Sequence, residues 1–296
     1  MTAVDFINLL IAALLLAGLY AAVAVGMTII YGVMKIVNLA HAGFMMLGAY
    51  FNYELFEWLH LDPIFGALLS LPVFFVFGMG VHWLLVRWLP KSDQPTLSSL
   101  LLMFGFWLVL QNVGYLVWGN SDRAILTTHR RVIPLGPITI PTAGLVVFAA
   151  ALTCLAVLQL ILHRSWFGKS VTALIQNPYA AQIVGVDHQK TSQLTFGLGT
   201  AFAGFAGALM AMLFSFNPDF GRPFLVRAFV IIVLGGLESV SGVAFGALIL
   251  ALVETFSILF IPAGYQPAIS FGLLVVVLLL FPTGIAGLLK RKWRLA

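Results

Sequence analysis

Charge is what this chain has least of: 8% of its 296 residues are Asp, Glu, Lys or Arg, against roughly 25% in an average soluble domain. With 61% hydrophobic residues and a mean hydropathy of +1.07, the chain belongs in a bilayer and is excluded from the soluble globular class. Cysteine is nearly absent. The single Cys154 lies in an apolar run, which excludes a disulfide framework and a cysteine-based metal site. A GxxxxGK[ST] loop is missing, so the chain has no means of cradling nucleotide phosphates. HExxH is missing too, the six histidines are scattered, and no metal-binding constellation stands out. The chain therefore reads as non-catalytic, with no cofactor of its own. The net charge of +5 does not imply nucleic acid, because the basic residues sit in short loops between apolar segments, where they set topology.

What is present is a series of bilayer-length segments. About 20 apolar residues cross a hydrocarbon core of ~30 Å, and that ruler predicts eight full spans. They run from Phe6 to Ile30, Phe44 to Leu59, Ile64 to Val86, Leu97 to Trp118, Ala143 to Leu162, Leu194 to Phe214, Val243 to Ile261 and Ala268 to Leu289. A shorter piece, Phe224 to Leu237, reads as a broken or re-entrant element marked by Gly235, Gly236 and Gly242. The expected fold is an all-α polytopic membrane helix bundle forming one domain over residues 1–296. Small residues recur every four positions at Gly199, Ala203, Gly207 and Ala211, and at Gly18, Ala22 and Gly26, giving two helices a face that a neighbouring backbone approaches closely.

Positive charges orient the bundle. If the tail Lys290 to Arg294 is cytoplasmic and the short piece crosses, ten Lys and Arg lie inside, against five outside: Arg123, Arg130, Arg131, Arg222 and Arg227. The N-terminus is then external, and its first eight residues carry Asp5 and no basic residue, unlike a secretory signal. The outer loop Gly119 to Pro141 holds three of those arginines and forms a candidate docking surface.

Polar residues at membrane depth are the candidate site. Glu254 lies eleven residues into its span, about 16 Å deep by helical rise. An ionised carboxylate there costs on the order of 3 kcal/mol or more unless paired or wet. It is read either as a pathway residue or as a structural acid paired to a neighbouring helix. Tyr31, Lys35, Asn38 and His41 are spaced four, three and three, which puts them near one helical face if that segment is helical. The plainer alternative is a wet turn with a topology lysine and an asparagine cap. Glu238, just past the Gly235-Gly236 pair, reads as a cap of the following helix near Ser239 and Gly242, or else as a further residue on the same pathway.

The most distinctive stretch is a polar island, His163 to Ser192. Asn177 is placed to cap a helix, Pro178 to occupy its first position and Gly185 to close it in the left-handed conformation. A capped surface helix on a membrane protein is a partner-docking element or an interfacial helix resting on lipid.

Several motifs in one order resemble those of a known family. Gly18-Leu19-Tyr20-Ala21, Gly26 through Val33, Asn38-Leu39-Ala40-His41 and Leu47-Gly48-Ala49-Tyr50 are similar to the opening of branched-chain amino acid ABC importer permeases of the LivH type. The similarity continues through Phe167-Gly168, Ala180-Ala181 to Gly185-Val186, Thr195-Phe196, Ala203 to Gly207, Leu234-Gly235-Gly236 to Gly242, and Glu254. The resemblance implies a bacterial inner-membrane subunit that forms half of a translocation pathway with a homologous permease, as a heterodimer. It implies two cytoplasmic ATPases carrying ATP and magnesium, and a soluble substrate-binding protein outside. Residues 165–190 become the coupling loop to the ATPase, with Gly168, Asn177, Pro178, Ala180, Ala181, Val184 and Gly185 as its carriers. Tyr31, Asn38, His41 and Glu254 become pathway candidates. The chain departs from the family where His41-Ala42-Gly43 replaces His-Gly-acid, where Thr172 stands for a basic residue before Ala173, and where Glu238 stands for glycine. The expected cargo is thus a branched-chain or related amino acid, or a small amide or aromatic solute. The rival reading is an ion-coupled secondary carrier or channel in which Glu254 binds a proton or cation.

Overall fold

A computed structural model of the chain describes residues 2–91, 95–125, 132–236 and 239–280. Glu238, the tail Lys290 to Arg294, the far part of the last expected span, and Arg130 and Arg131 lie outside the described residues.

The helices follow from local signals. Helix α1 (Ala3–Met34) starts in a capping box, Thr2 accepting from the Asp5 amide and Asp5 from the Thr2 amide. It ends where Lys35 adopts a left-handed conformation. Helix α2 (His41–Leu59) follows, then α3 (Pro63–Leu84), capped by Asp62 with Pro63 in its first turn. Helix α4 (Pro95–Trp118) leads to a hairpin of β1 (Val132–Leu135) and β2 (Ile138–Pro141), antiparallel and in register from Val132 opposite Pro141 to Leu135 opposite Ile138. Gly136, at positive φ, turns that hairpin.

Helix α5 (Thr142–Arg164) returns across the bundle to α6 (Trp166–Gln176) and α7 (Pro178–Ile183). Asn177 accepts from the amides of Tyr179 and Ala180, both at 3.0 Å. Gly185 has φ of 90°; its amide donates to Gln182, and Val186 donates to Ala181, a complete Schellman closure. The cap and the closing glycine expected from sequence are both there. Replacing Asn177 with alanine should remove about 1 kcal/mol of helix stability, read as faster amide exchange across α7 with the exchange of α8 unchanged.

Helix α8 (His188–Leu213) begins at Asp187, whose side chain caps the Lys190 amide. That hydrogen bond holds the Asp187 carboxyl below the usual carboxylate range. Then come α9 (Gly221–Gly235), α10 (Val240–Ser257) and α11 (Gln266–Leu280). Among the described residues, six helices, α1, α3, α4, α5, α8 and α10, are long and apolar enough to cross a membrane. The other expected spans are α2, whose polar Asn52, Glu54 and Glu57 lower its hydropathy, and α11, described as far as Leu280. The fold is an all-α polytopic membrane bundle.

Helix α8 is the axle, packed against α1, α2 and α3. Its small-residue stripe is buried, as expected. A Cβ on Gly207 would strike the Met45 carbonyl, one on Gly48 the Gly204 carbonyl, and one on Gly26 the Gly199 carbonyl, so these helices meet backbone to backbone. Helices α4 and α5 turn Leu101, Leu116, Val157 and Leu160 outward, as a lipid-facing surface requires.

Two expectations change. The 224–237 piece starts earlier than expected: α9 is one continuous helix from Gly221 to Gly235, and its preceding loop binds Asp122 through Asn217 at one end of the bundle. Its far end reaches the loop that shares a cavity with His163 and Thr172 at the other. At 15 residues it is about 22 Å long, shorter than a ~30 Å hydrocarbon core, and its break comes at Gly236, where φ is 89°. Secondly, Tyr31, Lys35, Asn38 and His41 share no helical face, because the chain leaves the helix at Lys35, which is left-handed, and residues 35–38 are not helical.

Candidate functional site

Glu254 sits in the last turn of α10, which ends at Ser257 and not near Ile261, so the carboxylate lies nearer one end of the bundle than the span lengths implied. The C-terminal turn is the negative end of the helix dipole, a poor place for an acid. Three donors offset this. Arg227 of α9 donates through Nε to both carboxylate oxygens, at 2.9 and 3.2 Å. The hydroxyls of Tyr20 on α1 and Ser270 on α11 donate to the other faces of the carboxylate. Glu254 is 1% exposed and Arg227 9%. Four helices thus converge on one buried ion pair, in which Glu254 is a paired acid.

The pairing corrects the place given to Arg227, which sequence topology counted among outer-loop charges. It is a helix residue, its guanidinium carbon 5.8 Å from the Tyr20 ring centre and 5.1 Å from that of Phe224. Tyr20, Arg227 and Ser270 are functional candidates the sequence reading missed. Arg227 did carry a signal, being a charge six residues inside a continuous apolar helix, and an ionisable residue at membrane depth calls for a partner. Tyr20 and Ser270 gave none.

Two cavities meet at Arg227. The larger, about 630 Å3, is walled by the start of α1, the hairpin, α5, the end of α8, α9, α10 and Gln266. The smaller, about 490 Å3, lies between the 214–220 loop and the start of α9 and includes Asp122 and Asp219. Both acids are engaged: Asp122 accepts from Asn217, and Asp219 from Gln111 with Arg222 at 3.3 Å.

The other pathway candidates lie elsewhere. Tyr31 is eleven residues beyond Tyr20 on α1, about 16 Å along the axis, and Lys35 Nζ stands 5.8 Å from its ring centre. His41 is fully buried, its Nε2 2.8 Å from the Val23 carbonyl. Asn38 is also fully buried; its side chain caps nothing, and its amide has no hydrogen-bond partner among the described residues. The structure therefore does not gather Tyr31, Asn38 and His41 with Glu254 into one site.

The polar island forms a separate surface. Gly168 packs against the backbone of Leu162, and Ser165 caps its amide. Ala181, which the resemblance puts among the carriers of the coupling loop, points inward. It packs with Val33, Val171 and Leu174, because α7 lies across the end of α1 and α6. The residues turned outward are Tyr179, Ile183 and Val184, with Ile183 85% exposed, flanked by Pro178, Ala180 and Gly185. Gly235 and Gly242 bring α9 and α10 into backbone contact beside this end.

Comparison with known proteins fits this architecture. The chain is 28% identical over 286 residues to the high-affinity branched-chain amino acid transport system permease protein LivH of Escherichia coli (strain K12), covering 92% of each. It is 28% identical to the corresponding permease protein BraD of Pseudomonas aeruginosa, covering 95% of this chain and 96% of BraD. A xylose transport system permease protein, XylH of Haemophilus influenzae, is 29% identical over 191 residues, 55% of this chain. No solved structure matches the chain significantly. The model of the family described as branched-chain amino acid transport system / permease component matches residues 9–280. The chain belongs to that family of membrane permease components.

Proposed function

We propose that the chain forms half of the membrane pathway of an ATP-driven importer for a branched-chain amino acid or a chemically related small solute. The family match over residues 9–280 carries this reading. A homologous second permease completes the pathway, an external binding protein delivers solute, and two cytoplasmic ATPases hold ATP and magnesium. The docking element is α7, whose outward Tyr179, Ile183 and Val184 form a compact apolar patch on a helix fixed at both ends. Residues 165–190 act as the coupling loop, with Gly168, Asn177, Pro178 and Gly185 shaping it and Ala181 anchoring it from within.

Charge supports an orientation with α7 in the cytoplasm of a bacterial cell and the N-terminus outside. Among the described residues, Lys35, Arg87, Lys91, Arg164, Lys169 and Lys190 lie at the α7 end, against Arg123 and Arg222 at the other. Removing the buried Arg227 from the outer count strengthens the bias. The ion-coupled alternative loses its chemical basis, because the Glu254 carboxylate is occupied by three donors and its charge is balanced by Arg227.

Reconstitution tests the reading. Proteoliposomes holding the chain with its permease partner, ATPases and binding protein should accumulate leucine only when ATP is supplied. Accumulation by the chain alone on a proton or sodium gradient would end the importer reading. The double substitution Ile183→Asp with Val184→Asp should abolish solute-stimulated ATP hydrolysis while the chain stays folded in the membrane; wild-type hydrolysis in that variant would remove α7 as the docking element.

A further inference from the structure

An arginine carries five N–H donors in a fixed fork. Both hydrogen bonds of the Arg227 guanidinium to Glu254 run through Nε, and the guanidinium also lies beside the Tyr20 hydroxyl. The terminal nitrogens are not spent on the ion pair. Arg227 lines both outer cavities, whereas Glu254 lines neither. The pair is therefore polarised: its negative half is sealed behind Tyr20 and Ser270, and its positive half faces open space. Around that charge the larger cavity is mostly apolar, with Leu9, Leu15, Leu16, Met212 and Leu213 on its walls.

We propose that the terminal edge of Arg227 is a binding site for the carboxylate of a small solute whose apolar body fills the 630 Å3 cavity. Glu254 is the resident counter-ion that fixes the guanidinium plane. The chemistry favours this ligand over a neutral one. A planar guanidinium matches a carboxylate bidentately, with two parallel charge-assisted hydrogen bonds between opposite charges, whereas a neutral amide offers one acceptor oxygen and no countercharge. The Tyr20 and Phe224 rings beside the guanidinium limit its rotation, so little order has to be created on binding. The site deepens the proposed function and rests on that reading for its role in transport, while the binding itself is independently measurable.

The experiment uses the full chain in detergent, with thermal unfolding followed during titration with isovalerate, isovaleramide and sodium chloride. Isovalerate and isovaleramide share a branched apolar body and differ in charge. Isovalerate should raise the midpoint saturably, with an apparent affinity at least about tenfold above that for the amide, and chloride should have no saturable effect. Glu254→Gln keeps the guanidinium and removes its competing anion, so it should bind isovalerate at least as tightly as the wild type. Arg227→Gln combined with Glu254→Gln removes both charges and should lose the discrimination between acid and amide. Equal responses to acid and amide in the wild type, or an unchanged preference in the double variant, overturn the site. Leucine import at the wild-type rate by a complex carrying the double variant also overturns it and leaves the importer reading intact. Isovalerate binding by the wild type, alongside a complete complex that imports no carboxylate solute, supports the site and refutes the transport reading.

Discussion

Arg227→Met lowers the stability of the chain by about 3–5 kcal/mol, the cost of leaving one partner of a buried ion pair uncompensated. The methionine fills much of the arginine's volume, so the loss is electrostatic. Glu254 would keep the Tyr20 and Ser270 hydroxyls, but two neutral donors do not balance a full charge in a site 1% exposed, at the negative end of a helix dipole. Adding Glu254→Leu should restore most of that stability, since replacing both members of a buried pair with apolar groups is often neutral. The check is the unfolding midpoint in detergent of the two single variants and the double variant. Additive losses would show that the two residues do not act as a pair.

Gly207→Ala costs about 3 kcal/mol, and Gly48→Ala a similar amount, by forcing α2 and α8 apart. In each case the added methyl meets a backbone carbonyl, Met45 for the first and Gly204 for the second, and a carbonyl inside a helix has no alternative rotamer. Gly105→Ala on α4 is the control. Nothing stands within 4 Å of its added methyl, so the change should be neutral or stabilise by up to about 1 kcal/mol through helix propensity. Thermal unfolding of the three variants separates close packing from a general intolerance of glycine replacement.

What was legible in the sequence was what neighbouring residues decide among themselves. The cap at Asn177, the proline after it and the left-handed Gly185 form one local unit, and α7 appears where they place it. The four-residue stripe on α8 was legible because periodicity alone puts Gly199, Ala203, Gly207 and Ala211 on one face. The ion pair was not legible, because Arg227 and Glu254 lie 27 positions apart and Tyr20 enters from a helix more than 200 residues earlier. Partner choice there is a product of packing. Helix α7 shows the same limit at short range: its existence is local, but the inward turn of Ala181 depends on Val33 and Leu174. The single-face reading of Tyr31 to His41 failed on one residue, Lys35, whose left-handed conformation no composition rule marks.

The carbonyl-to-helix contacts around α8 have a kinematic consequence. Interfaces lined by long side chains slide by exchanging rotamers, whereas these contacts offer no such slack, and a shift of one turn along α8 would drive the Met45 carbonyl into the methyl of Ala203 or Ala211. The central helices are therefore expected to move as one rigid block, with any hinge at the edge of that block.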